Sequence, residues 1–238
     1  MIILECAIDD APAESWIHVT EVLVGREAQA ECVSFQSGGS SGQATFLQRS
    51  RVVEGGSITW NVATLGPSDS HHDLQSHVAG EHGISVINWL FYALDRESYR
   101  LSARNIFDAA SGTGEILMKG VAEEKGHVAC NGLIQIGLGG GGTNTYLTQN
   151  VLMLDPTARV DVVPGLEIKT NDVKASHSAT VSRVTEEDLF YFAARGIPRQ
   201  EARGMFVRGF LDALADRVSD AETRDLIAGA IARKFERR

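Results

Sequence analysis

The chain has 238 residues, of which 43% are hydrophobic, and carries a formal net charge of −9. That apolar share is enough for a packed core and excludes wholesale disorder, while the acidic balance argues against a nucleic-acid surface, which needs a basic stripe. The longest nearly apolar run, residues 84–94, is too short to span a bilayer, which takes about 20 residues, and the N-terminus turns acidic without a basic start. The expectation is a cytoplasmic protein with no membrane insertion.

From the N-terminus to about residue 184, short stretches rich in β-branched residues alternate with Gly, Ser, Asn and Asp: 16–24, 44–47, 57–65, 115–121, 127–136 and 150–154. Strands so often punctuated suggest a sandwich, a barrel or a solenoid. Two-residue hairpin turns are missing, and the one Asn-Gly, Asn131-Gly132, sits inside a strand-like run. A loose theme of a few apolar residues followed by a Gly or Asp corner favours the solenoid, without a crisp period. The three cysteines, Cys6, Cys32 and Cys130, are far apart and form no CxxC pair, so each reads as a small buried hydrophobe.

Residues 71–82 hold His71, His72, His77 and His82 with Asp73 and Glu81. Imidazole and carboxylate suit iron or zinc, yet no HExxH or other ligand spacing is present. On an extended strand Asp73 and His77 share a face, with His72 and His82 opposite, and the expectation is a solvated strand face. Gly137 to Gly142 formally matches GxGxxG, but a β-like run follows where a nucleotide site needs a helix. It reads as a flexible corner between β coils.

After residue 184 the pattern turns helical. Thr185 with Asp188 forms a near capping box, and Gly196 supplies the stop. Pro198 fits the first position of a second helix, whose Ala202, Phe206, Phe210 and Leu214 recur every four residues and line one face. Ser219 to Glu222 reads as the capping box of a last helix reaching about Phe235. The division is therefore a β body, 1–184, and a helical segment, 185–238.

The stretch from Pro164 to Ile197 resembles the C-terminal signature of the SufB/SufD family of iron–sulfur cluster assembly proteins. The matching residues are Pro164, Leu166-Glu167-Ile168, Asp172-Val173-Lys174, Ser176-His177, Ala179-Thr180-Val181, Leu189-Phe190-Tyr191 and Arg195-Gly196-Ile197. The likeness continues upstream through Lys119-Gly120-Val121, Gly132 to Ile136 and Gln149 to Leu154, and more loosely through Asp73 to Glu81; the first seventy residues carry little of it.

The resemblance implies an all-β fold, a right-handed parallel β-helix with a short C-terminal α-helical segment. It implies a non-catalytic scaffold of a SUF-type complex that pairs with a second SufB/SufD-like subunit, as homodimer or heterodimer. It also implies docking of a SufC-like ABC-type ATPase through Leu189, Phe190, Tyr191, Arg195 and Gly196. His177 matches a histidine linked to iron handling in SufD-type members, making it the candidate ligand for iron or a nascent iron–sulfur cluster.

Alternation puts His177 with Val173, Ala175, Ala179 and Val181 on the apolar, inward face, so a hydrogen-bonded core histidine stands beside the ligand reading. Where SufB-type members carry glutamates around this histidine the chain has Ser176 and Ser178, and Thr148-Gln149-Asn150 stands where they carry a cysteine. The chain is SufD-like in these positions. The family's N-terminal helical region is also missing from the sequence, which suggests a minimal form. The alternative is a purely structural partner of the ATPase that binds no metal. An independent enzyme is weakly supported, since nothing pairs Asp108, Glu115, Glu167 or Asp172 catalytically.

Overall fold

A computed structural model of the chain describes residues 1–9, 15–38, 42–66 and 68–236. Thirteen strands among these residues alternate between two sheets. The odd strands β1 (Ile2–Asp9), β3 (Gln29–Gly38), β5 (Ser57–Thr64), β7 (Ile84–Ala93), β9 (Thr113–Ala122), β11 (Thr143–Met153) and β13 (Val173–Arg183) lie side by side in that order. The even strands β2 (Ser15–Val24), β4 (Gln43–Val52), β6 (Asp69–Val78), β8 (Ser98–Phe107), β10 (His127–Ile136) and β12 (Arg159–Ile168) form the second sheet. Every neighbouring pair is parallel. One even and one odd strand make each turn of a β-solenoid of about six turns.

The coils stack in register, with Ser15 over Gln43, then Asp69, Ser98, His127 and Arg159. The uneven spacing of those residue numbers explains why no sharp repeat is visible in the sequence. What repeats is the corner. Glu27, Gly55, His82, Ser111 and Gly142 all adopt the left-handed conformation at successive turns from even to odd strands. Each donates its N–H to a carbonyl one coil further: Glu27 to Glu54, Gly55 to Glu81, His82 to Ala110, Ser111 to Gly141 and Gly142 to Asp172. Only glycine takes φ near +75° freely, which accounts for Gly142 at the end of the glycine run. That run is a corner of the solenoid.

Alternate residues point inward and fill the lumen, where Trp60, Trp89, Phe91, Ile87, Leu101 and Phe107 are fully buried. Lumenal polar groups bond one another: Trp60 Nε1 donates to Ser50, Ser50 to Ser76 at 2.9 Å, and the Ser85 hydroxyl bonds the Ser76 hydroxyl and donates to Asn105 Oδ1. At Gly120 a Cβ would stand 2.0 Å from the Phe91 ring, so glycine is what lets that aromatic lie flat inside. Cys32 and Cys130 are buried, and burial pushes the Cys130 thiol up to about 12. The Cys6 side chain lies outside the described residues.

Helices α1 (Glu186–Ala193), α2 (Arg199–Ala215) and α3 (Ala221–Glu236) follow the last strand. α2 and α3 fold back over the outer face of the odd-strand sheet. Val207, Leu211, Leu214, Ile227 and Ile231 share one apolar cluster with Phe35, Leu65, Leu90, Tyr92 and Leu152. The buried stripe of α2 thus runs through Ala202, Val207, Leu211 and Leu214, leaving Phe206 and Phe210 half-buried at its margin. Pro198 is the N-cap of α2 rather than its first residue.

The Thr185–Asp188 box is formed as the sequence suggests. The α3 cap is shifted by one residue: the Thr223 N–H donates to Asp220 Oδ2 at 2.8 Å, while Ser219 donates from its N–H and hydroxyl to Glu31. Ser219 is drawn away because it meets a carboxylate of β3. Among the described residues, no helix is long and apolar enough to cross a membrane.

Candidate functional site

The last coil leaves an end of the solenoid uncovered. β13 and β12 are edge strands of their sheets, so each presents an unpaired row of backbone N–H and C=O groups. Inward residues of β13 continue the lumenal columns, with Val173 over Thr143, Ala175 over Thr145, His177 over Leu147, Ala179 over Gln149 and Val181 over Val151. Beneath, Leu147 and Val151 are fully buried. Among the described residues nothing stacks above, so Val181 is 47% and Ile168 of β12 40% exposed, and His177 is exposed as well. Alternation therefore assigns His177 to the correct face, but a buried core histidine is not what results, because the coil that would cover it is missing. The orphaned Thr143 and Thr145 hydroxyls and the Gln149 carbonyl oxygen lie buried just below.

Ser176 and Ser178 pair with Tyr146 and Thr148 and face outward, away from His177. Among the described residues no three His, Cys, Asp or Glu side chains come close enough to hold a metal ion. His177 is thus a single nitrogen donor on an open apolar surface.

The residues of the 71–82 cluster are dispersed. Asp73 is bound by Arg49 at 2.9 Å, and His77 by Asp108 at 2.9 Å. His82 sits in a corner beyond the end of β6. His72 points into the lumen, stacked on Phe46 at 4.2 Å with its edge toward Trp89. Both its ring nitrogens are buried without a partner among the described residues, and burial, helped by nearby His71, lowers its pKa to about 3. The solvated face holds for His71, Asp73 and His77; His72 belongs to the core. The four carboxylates considered for catalysis are likewise apart: Asp108 pairs with His77, Glu115 with Arg217, Glu167 with Gln135, and Asp172 lies at a corner.

The second candidate surface is helical. On α1, Leu189 is buried at 5% exposure, whereas Phe190 and Tyr191 are 74% and 54% exposed. Arg195 lies 3.6 Å over the Tyr191 ring and donates to the Tyr191 carbonyl. Gly196, at φ +77°, reverses the chain. Arg199 grips Glu186 with two hydrogen bonds of 2.6 Å, which hold the Glu186 carboxyl below its usual range and tie α1 to α2.

Buried charges anchor the helices to the solenoid. Arg203 donates to Glu123 at 2.9 Å and Asp155 at 2.7 Å, and Tyr92 also donates to Glu123. Lys234 reaches the Leu65 carbonyl, Glu97 and the Tyr99 hydroxyl, and burial with the neighbouring Glu97 drives the Tyr99 pKa well up. Sequence reading misses this framework. A lone Arg or Lys on an amphipathic helix carries no local sign that the partner surface holds an acid.

The family profile described as "SUF system FeS cluster assembly, SufBD core domain" matches residues 1–210. An iron–sulfur cluster assembly SufBD family protein of Mycobacterium leprae is 28% identical over 197 residues, 83% of this chain and 23% of that protein. The iron–sulfur cluster assembly protein SufD of Escherichia coli is 30% identical over 173 residues, 72% of this chain and 40% of its own length. A SufBD family protein of Staphylococcus saprophyticus is 26% identical over 194 residues, 82% of this chain and 42% of that protein. The chain therefore spans less than half the length of these relatives.

Proposed function

Because this chain belongs to the SufB/SufD family of SUF-system iron–sulfur cluster assembly proteins, we propose that it is a non-catalytic scaffold subunit of such a complex. In this reading it works in the cytoplasm, pairs with a second SufB/SufD-like subunit through its last coil, and docks a SufC-like ABC-type ATPase through its C-terminal helices. Iron or the nascent cluster is cargo, held transiently at the subunit junction with His177 as this chain's donor.

The observation that carries the reading is the uncovered last coil. Two unpaired strand edges frame half-exposed Val160, Val162, Leu166, Val173 and Ala175, and such an end is stable in water once another surface covers it. His177 stands in that surface, where neutral imidazole suits ferrous iron, and a partner supplies the remaining ligands. The alternative is a purely structural partner of the ATPase that binds no metal.

Anaerobic loading with ferrous iron and sulfide, done on the paired complex, separates the two. The scaffold reading expects His177→Ala to lose iron while the pair stays intact. Equal iron in both proteins removes His177 from the site. Docking is better tested by point variants than by truncation after Val184, because deleting the helices would uncover Phe35, Leu65, Leu90 and Tyr92. Phe190→Ala and Tyr191→Ala should weaken ATPase capture without changing the melting temperature, and undiminished capture would count against docking through α1.

A further inference from the structure

The exposed aromatics of α1 are the start of a longer strip. Tyr191 meets Phe192 edge-on at 5.8 Å, and Phe192 meets Phe206 of α2 at 5.4 Å. One turn further along α2 lies Phe210, half-buried like Phe206, and Met205 beside them is exposed. A cation closes each end. Arg195 covers the Tyr191 ring, and Lys119, on the outer face of β9, places its Nζ 4.5 Å over the Phe210 ring.

Among the described residues neither cation forms an ion pair, in a chain whose net charge is −9. Elsewhere on this molecule the buried cations Arg203 and Lys234 are matched by carboxylates. Lys119 is also partly desolvated, which lowers its pKa. An unpaired, partly desolvated ammonium gains most from a carboxylate brought in by another molecule.

We propose that the ATPase-docking surface runs from Arg195 across Tyr191, Phe192, Phe206 and Phe210 to Lys119, and that it fits an apolar groove with a carboxylate at each end. The inference rests on the docking reading above and extends it from α1 to α2 and the solenoid wall. Aromatic contacts supply the buried area; the two cations fix the register of the groove along the strip.

The test is titration of the full chain with the SufC-like ATPase of the same organism, at low and high salt. Lys119→Met keeps the apolar stem but removes the charge; it should weaken binding at least about tenfold and flatten the salt dependence. Lys119→Arg should restore most of the affinity, and Lys125→Met, a substitution in an exposed corner, should leave it unchanged. Binding by the native chain with no change in Lys119→Met would overturn the extended surface and leave docking through α1 standing. No binding by the native chain would overturn both.

Discussion

His72 makes the stability of this solenoid depend on pH in a way that one substitution removes. Its ring is fully buried, stacked within 12° of parallel on Phe46, and among the described residues neither nitrogen has an acceptor or donor. Protonation would put an uncompensated charge in the lumen, so the folded pKa falls from the usual 6.5 to about 3. A depressed histidine pKa means that the unfolded chain takes up the proton first. The contribution is therefore complete above pH 6.5 and is lost as pH falls toward 3.

Each pH unit in that window costs up to about 1 kcal/mol, so acidification from 6.5 to 4.5 removes roughly 2 kcal/mol through this residue alone. That is a large share of a typical domain stability of about 5–15 kcal/mol. Urea unfolding of the native protein and His72→Leu at several pH values between 7.5 and 4.5 isolates the effect, because all other titrations cancel in the difference. The variant should cost less than about 2 kcal/mol at pH 7.5, for the lost ring stack, and gain on the native protein steadily as the pH drops. Parallel curves would refute the reasoning and show that the ring finds a proton acceptor in the folded state.

Three further perturbations probe the packing. Gly120→Ala drives a methyl into the Phe91 ring and should cost about 1–3 kcal/mol by urea unfolding, while Gly141→Ala, with nothing within 4 Å, should fall within about 0.5 kcal/mol of neutral. Arg203→Ala takes the paired cation from Glu123, which is 1% exposed and keeps the Tyr92 hydroxyl as a neutral donor, and should cost about 3 kcal/mol; a much smaller loss would mean that water reaches the carboxylate. Asp220→Ala should lower the melting temperature by unfastening α3, and Glu222→Ala should leave it unchanged; the reverse order would restore the Ser219–Glu222 box.

Much of the fold was legible because alternation and corner residues are local signals. Residues 127–136 read as a strand and are one, and the glycine run reads as a corner and is one. Less local features were hidden. The columns are continuous in space although their residues recur at uneven intervals, and α2 takes its buried stripe from Val207 and Leu211 because it lies along a sheet that the helix sequence does not describe. His177 shows the limit most clearly. Alternation fixes its face, but its exposure depends on β13 being the last strand, a property of the stack.

The open last coil is proposed as the junction between subunits. Light scattering on the chain mixed anaerobically with its SufC-like ATPase and a second SufB/SufD-like subunit, beside Val181→Glu, tests it most directly. A complex containing a pair of scaffold subunits with the ATPase is expected, and a variant that keeps the ATPase but loses the pair. A native chain that stays unpaired, or a Val181→Glu chain that pairs as well as the native one, would contradict it.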